Sequence, residues 1–138
     1  MTDLSAIQAG FAFPPTGLLL DCATVVAYLD AVEDTTPIYR GEGACVPPLA
    51  VLPLAMRGLA DLIAQYPGTM HVSQRLVAHR AVPIGAKVTA HIAVQSRSER
   101  KGFVALNLEL RVEEDGDTVL EGGMLLLVPL ARAEAAHG

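Results

Sequence analysis

The side chains of this sequence that could do chemistry are few, and they form no common metal or nucleotide motif. Its four histidines do not have the spacing of metal ligands: His71, His79, His91 and His137. The two cysteines, Cys22 and Cys45, also lack that spacing, so we interpret them as reduced thiols. The glycine-rich loops that bind phosphates, and the common zinc-protease and serine-nucleophile motifs, do not occur. The sequence therefore predicts no bound metal and no cofactor.

One loop, EDTTPIY at Glu33–Tyr39, combines a carboxylate with a phenol and is the first candidate for acid–base chemistry. Asp34 could serve there as an acid or base, but Asp followed by Thr and Pro is also ordinary turn chemistry. Tyr39 has a reference pKa near 10 and is a poor base at neutral pH. A simple connection is the alternative interpretation, although loops often carry the chemistry of a rigid scaffold.

A second group of polar side chains follows the alternation of a predicted strand. His71 and His79 are eight residues apart, with Ser73 and Arg75 between them, so the period of two predicts one shared face. A solvent-exposed face is one interpretation of this group. The other is a strand that lines a ligand.

Composition limits the class of protein. The chain has 138 residues and predicts a single domain, 1–138, with loosely ordered tails at about 1–10 and 131–138. Hydrophobic residues make up 51% and charged residues 18%, which favours an oligomer that hides apolar surface. A net charge of −5 argues against nucleic-acid binding. The start has no basic region, and the longest uncharged apolar run, Ala44–Met56, is too short to span a bilayer. We therefore expect a soluble cytoplasmic protein with no membrane partner.

These side chains must be positioned by one central helix, predicted over Leu49–Tyr66. Apolar residues cover most of its circumference, and the polar side chains Arg57, Asp61 and Gln65 recur every four residues on one stripe. Such a helix is expected to be surrounded by protein. Pro53 predicts a bend or a late start, and Pro67-Gly68 predicts a clean end.

The rest of the chain after this helix has the alternation of long strands. Strands are predicted at Gly17–Asp21, Thr69–Val82, Lys87–Arg97, Phe103–Glu113 and Thr118–Pro129, the last apolar on both faces at Met124–Val128. Ser98–Gly102 and Asp115-Gly116 predict hairpin turns. A shorter helix is predicted at Ala23–Val32, capped by Asp21 or Thr24. The fold class is α+β, an antiparallel sheet curled around one buried helix.

The segment PGTMHVSQRLVAHRAVPIGAKV, Pro67–Val88, resembles the one that follows the central helix in MaoC-like dehydratases and R-specific enoyl-CoA hydratases. The counterparts are the Pro67-Gly68 turn, the Ser73-Gln74 pair and the turn at Arg80–Gly85, where the proline is shifted by one place. The resemblance extends over about residues 20–130. It implies a hot-dog fold, in which a long antiparallel sheet wraps the central helix.

The resemblance also implies where the chemistry of an acyl thioester would be. In the family, an Asp and a His hold the water that adds to the enoyl thioester, and N–H groups at the start of the central helix polarise its carbonyl. Asp34 and Pro37 match that pattern, but Tyr39 stands in the place of the His, and Pro47-Pro48 replace the family's His-Gly. The resemblance thus implies that Asp34 and Tyr39 are a degenerate catalytic pair. Substrate binding is implied at the helix start and the next strand: Leu49, Ala50, His71, Ser73 and Gln74.

Three functions are compatible with this resemblance. The chain is similar to the non-catalytic N-terminal half of double-hot-dog dehydratases, which implies a hydratase component completed by a catalytic hot-dog subunit. Alternatively it is a self-sufficient thioesterase or atypical dehydratase that uses Asp34 and Tyr39. The third possibility is a thioester-binding or structural module without activity. The implied ligand is an acyl-CoA or acyl-carrier thioester, and the implied assembly is a homodimer or a hetero-oligomer.

Overall fold

The computed structural model describes residues 3–130, which form one antiparallel sheet with helical segments packed on it. The helices are α1 (Cys22–Ala31), α2 (Pro48–Ala55) and α3 (Ala60–Gln65), and the strands are β1 (Thr16–Leu19), β2 (Met70–Ala78), β3 (Lys87–Arg100), β4 (Phe103–Glu114) and β5 (Asp117–Pro129). The strand order is β1-β3-β4-β5-β2, so β2 is an edge strand that pairs only with β5. This arrangement confirms the predicted α+β class.

The sheet has one buried and one more open face, as its alternation predicts. On β4, every second side chain is buried beneath the helices: Val104, Leu106, Leu108, Leu110 and Val112. The alternate side chains, which point to the other face, are exposed at Asn107, Glu109 and Arg111. Burial of the apolar side chains removes their surface from water, which is the main favourable contribution to folding.

Two tight hairpins connect the three longest strands. Lys101-Gly102 and Asp115-Gly116 both have positive φ at each residue, as two-residue turns between twisted strands require. The second turn confirms the sequence prediction. The turn at Lys101-Gly102 is shorter than the predicted Ser98–Gly102, because β3 continues to Arg100 rather than ending before Ser98. Strand β2 is also shorter than the predicted Thr69–Val82.

The central helix is not the continuous helix predicted over Leu49–Tyr66. A 3₁₀ segment at Met56–Leu59 separates α2 from α3. Pro53 lies three residues before this segment and Gly58 lies within it, and both are poor residues for a helix interior. A Cβ added at Gly58 would be 3.2 Å from Thr16 Oγ1, so the tightened turn approaches β1 closely. The break therefore falls a few residues after the bend expected at Pro53.

The prediction that protein surrounds this helix is wrong for the single chain. One side packs on the sheet through Val51, Ala55, Leu59 and Leu62. The other side is open, and the Leu49 side chain is 58% exposed. By length and composition alone, the 18 residues of Pro48–Gln65 could cross a membrane, with a mean hydropathy of 1.2. The core helix of a soluble protein meets the same criterion.

Residues near the beginning of the described chain contact the core. Leu4 and Ile7 are buried in the core, and the Leu4 N–H donates a hydrogen bond of 3.0 Å to Tyr66 Oη. Arg97 Nη1 donates to the carbonyl oxygen of Leu4 at 2.6 Å. These contacts attach the segment to α3 and β3. The predicted loose tail at 131–138 lies outside the described residues.

Candidate active site

The loop that contains Asp34 and Tyr39 begins where α1 ends. Asp21 caps the start of α1, because its Oδ1 accepts the Thr24 N–H at 2.8 Å. At the other end, Glu33 adopts a left-handed conformation with φ of 56°. The Glu33 N–H donates to Asp30 O at 3.2 Å and the Asp34 N–H donates to Leu29 O at 2.8 Å. This pair of bonds is a Schellman motif, and it fixes Asp34 as the first residue of the loop.

Asp34 is held as a turn residue. Its Oδ1 accepts the Thr36 N–H at 2.8 Å. The hydroxyl and the N–H of Thr36 both lower the pKa of the Asp34 carboxyl below its usual value, because they stabilise its charged form. Arg40 Nη2 donates to the carbonyl oxygen of Asp34 at 2.7 Å. A carboxylate with a lowered pKa is a weaker base, and Asp34 does not line the apolar cavity next to this loop.

Tyr39, in contrast, lies at that cavity. It ends a 3₁₀ turn at Pro37–Tyr39, is half-buried, and borders a space of about 280 Å³ beside the start of α2. The lining is mainly apolar and comes from four parts of the chain: Ile38, Tyr39, Cys45, Val46, Pro48, Val51, Ala78, His79, Arg80, Ala81, Val82 and Leu120. The structure therefore brings Tyr39 to the helix start but leaves Asp34 out of the cavity.

The same tyrosine borders a second space on the other side of the loop. This groove of about 560 Å³ is open to solvent and is lined by Cys22, Val26, Tyr39, Arg40, Gly41, Gly43, Ala44, Pro83 and Ile84. Tyr39 is the residue that the cavity and the groove share. A ligand that passed from one space to the other would pass its ring.

Few backbone donors point out of the start of α2. Pro47 and Pro48 have no N–H group, and the Ala50 N–H donates to Pro47 O at 2.9 Å. The N–H of Leu49 has no hydrogen-bond partner among the described residues. Of the two positions predicted at the helix start, Leu49 and Ala50, only Leu49 keeps an N–H without a partner among the described residues, and neither residue lines the cavity. One donor is fewer than the two or more usual in an oxyanion-binding site.

The predicted binding residues of β2 lie away from the cavity. A bulge between His71 and Ser73 changes the register, so His71 is opposite Leu126 while Ser73 is opposite Leu125. Residues that pair across two strands point to the same side of the sheet. His71 pairs with Leu126 and Gln74 pairs with Met124, two residues away on the same face of β5, so His71 shares a face with Gln74 rather than with Ser73. The prediction that His71 and His79 share a strand face is wrong for this reason.

Gln74 is occupied by structural hydrogen bonds. Its Nε2 donates to Arg75 O at 2.7 Å and to Gly123 O at 3.2 Å, so it joins β2 to β5. Its Oε1 is 3.0 Å from His71 Nε2. Ser73 and Gln74 border a separate shallow space of about 300 Å³. The amide therefore has few bonds left for a ligand.

Both arginines near the loop are paired with carboxylates. Arg80, at the rim of the cavity, is 2.9 Å from Glu114 Oε1 and 3.5 Å from Asp117 Oδ2. Arg40, on the neighbouring groove, is 3.1 Å from Asp30 Oδ1. Among residues 3–130, no group of three or more His, Cys, Asp or Glu side chains could hold a metal ion.

Sequence reasoning missed the cavity walls formed by Val46, Val82 and Leu120. Val46 and Val82 come together because the Val46 N–H donates to Val82 O at 2.7 Å, and Cys45 forms a bridge with Pro83. These partners are 36 or more residues apart, and Val46 lies in a segment that was not predicted to be a strand. No local pattern could have indicated the pairing.

No family model matches the chain, and no curated protein matches it. Solved structures resemble it over most of their length. The (R)-hydratase from A. caviae has a TM-score of 0.76 at 21% identity, covering 90% of this chain and 98% of that one. A MaoC-like dehydratase from Rhodospirillum rubrum has a TM-score of 0.79 at 15% identity, covering 94% of this chain and 97% of that one.

The third structure is a chain of the C-terminally truncated HadBC complex, a (3R)-hydroxyacyl-ACP dehydratase from Mycobacterium tuberculosis. It has a TM-score of 0.75 at 23% identity, covering 86% of this chain and 96% of that one. These three structures are MaoC-like dehydratases and R-hydratases, and the chain has their hot-dog fold.

Proposed function

We propose that the chain is a MaoC-like subunit that binds an acyl thioester, such as an enoyl-CoA, and depends on a catalytic hot-dog partner for hydration or dehydration. One observation carries the proposal: an apolar cavity lies beside the start of the central helix, where the loop supplies Tyr39 but no base. The fold makes the thioester class reasonable, although fold alone does not decide function.

The loss of hydration activity follows from the two groups that the reaction needs. Addition of water requires a base with a pKa matched to the working pH. Asp34 is engaged in a turn outside the cavity, and Tyr39 is a phenol. The histidine of the lining, His79, is exposed, and its Nε2 lies 3.2 Å from Glu121 Oε1. The developing enolate also requires preorganised donors, and the two prolines leave only the Leu49 N–H at the helix start.

The partner would attach beside the edge of the sheet. Strand β2 has a free edge, and Val72 and Val77 are large apolar side chains exposed on it. Exposed edges with apolar residues readily pair with another chain. The solved relative named HadBC is a complex, which supports a hetero-oligomer, and a homodimer would use the same edge. We place the assembly in the cytoplasm as a soluble protein.

The test compares hydration of crotonyl-CoA by the purified chain, by hot-dog subunits encoded beside it, and by their mixture. We expect the chain alone to be no faster than buffer, and the mixture to exceed the partner alone. A chain that hydrates crotonyl-CoA alone, with a loss of orders of magnitude in Asp34→Asn, would overturn the proposal. A partner that is equally active without the chain would also overturn it.

A self-sufficient enzyme is the second candidate, and the position of Tyr39 favours it. The phenol borders the cavity and can donate a hydrogen bond to a thioester carbonyl, as a tyrosine does in some oxyanion sites. A thioesterase of this kind would release free thiol from acyl-CoA. Thiol release by the isolated chain, abolished in Tyr39→Phe, would distinguish it from the subunit proposed above.

A further inference from the structure

The cavity beside Tyr39 is backed by the packed core. Its inner wall consists of buried apolar side chains: Val46, Val51, Val82 and Leu120. The next core residues along the helical segment, Ala55 and Leu59, do not line it and are fully buried. Met124 and Leu126, further along β5, are also buried and do not line the cavity. A chain that entered from the loop would therefore meet packed core after the first turns of α2.

The size of this space limits what it can hold. A water molecule takes about 30 Å³ in the liquid, and a 150 Å³ cavity holds a benzene molecule. At about 30 Å³ for each non-hydrogen atom, 280 Å³ holds roughly nine such atoms. The thioester carbonyl takes two of these if it lies beside Tyr39. An acyl tail of roughly seven further carbons would then fill the remainder.

The lining also indicates the chemical nature of the tail. The inner wall has no ionisable side chain, and the polar lining residues Arg80 and His79 are both exposed. A carboxylate or amine at the end of the tail would lose its water without gaining a partner, which is costly. A plain hydrocarbon end fits the wall best.

We propose that this chain selects unsubstituted acyl groups of about four to eight carbons, and that Val51 and Leu120 set the upper limit. This inference rests on the proposed function, because it places the acyl tail in the cavity. The thioester lies at Tyr39, and the carrier arm leaves through the neighbouring open groove that shares this residue. The two spaces together accept one ligand.

The test is titration calorimetry of the purified chain with saturated acyl-CoAs of four to twelve carbons. Each added methylene should tighten Kd by about fourfold, which corresponds to about 0.8 kcal/mol of buried CH₂, until the cavity is full. Beyond about eight carbons, affinity should stop rising or fall. Leu120→Ala removes three carbons from the wall and should move that limit by about two or three carbons.

Leu126→Ala is the matched control. It removes the same atoms from the same buried face of β5, but Leu126 does not line the cavity. The control should leave the length limit unchanged while both variants lose stability. If Leu120→Ala does not fold, Val51→Leu tests the same wall by shortening the limit by about one carbon.

Three results would overturn the inference and leave thioester binding intact. The first is affinity that keeps rising to twelve carbons in the wild type. The second is an equal shift of the limit in Leu120→Ala and Leu126→Ala. The third is a limit that shifts in neither Leu120→Ala nor Val51→Leu. If no acyl-CoA binds at any length, the proposed function fails, and the length limit fails with it.

Discussion

At the scale of single residues, the loop is better explained by turn chemistry than by catalysis. The Asp34 side chain accepts from Thr36, and its carbonyl oxygen accepts from Arg40. Both interactions stabilise the conformation that follows α1. The sequence indicated the turn and the catalytic pattern equally, because Asp-Thr-Thr-Pro satisfies both. Only the position of the carboxylate outside the cavity separates the two interpretations.

The lowered pKa of Asp34 predicts how stability responds to acid. Its usual value is 3.8, and the folded value is lower because Thr36 donates to the carboxylate. The contribution to stability is complete above the unfolded pKa and is lost as the pH falls through the folded pKa. Asp34→Asn keeps a turn acceptor without this titration, so its melting temperature should fall less between pH 4 and pH 2. The measurement is thermal unfolding across that range.

Glu42→Gln provides the comparison, because Glu42 is an exposed carboxylate in the next part of the loop. If the acid response of Glu42→Gln flattens as much as that of Asp34→Asn, the turn bond is not the cause.

At the scale of elements, the alternation of apolar and polar residues was sufficient to predict the bounds of β3 and β4 to within a few residues. Their period of two reflects one face packed on the helices and one face open, which is a local property. The 3₁₀ break depends not only on Pro53 and Gly58 but also on the close approach of Gly58 to Thr16, forty-two positions earlier in the chain. The bulge in β2 likewise depends on the partner strand. The long-range contacts that decide these features leave no regular pattern in the sequence.

The one-sided burial of α3 predicts a difference between adjacent residues. Leu62 is 2% exposed, whereas Ile63 is 38% exposed. Leu62→Ala should lower the free energy of unfolding by about 2–5 kcal/mol, as for other core leucines. Ile63→Ala should cost less than about 1 kcal/mol in a monomer, because its side chain is partly in water already. Urea unfolding measures both, and similar losses at the two sites would mean that this face is covered.

The pairing of β2 with β5 predicts that Gly122 cannot be replaced. A Cβ added there would overlap the carbonyl oxygen of Arg75 and crowd the Gln74 amide. Gly122→Ala should therefore destabilise the chain and raise hydrogen exchange in β2. Gly17→Ala is the control, because Gly17 is also in a strand but has open space around its Cβ position. A Gly122→Ala variant as stable as Gly17→Ala would show that the strands separate without cost.

At the scale of the whole molecule, the single chain leaves apolar surface that assembly would cover. The open side of α2 and α3 exposes Leu49 and Ile63, and the free edge of β2 exposes Met70, Val72 and Val77. The composition predicted such an excess, since 51% of residues are hydrophobic. It could not show where the excess lies, because location depends on which strand forms the edge.

The last prediction concerns that edge, and it compares two valines of nearly equal exposure. Val72 lies on β2 and is 52% exposed, and Val32 follows α1 and is 51% exposed. We expect the wild type to sediment at micromolar concentration as a species of at least twice 14.5 kDa. Val72→Lys should weaken self-association by about tenfold or more, because a lysine on an edge strand disfavours pairing. Val32→Lys adds the same charge away from the edge and should leave association unchanged. A wild type that is only a 14.5 kDa species would contradict self-association, and equal effects of the two lysines would mean that charge, rather than the edge, controls it.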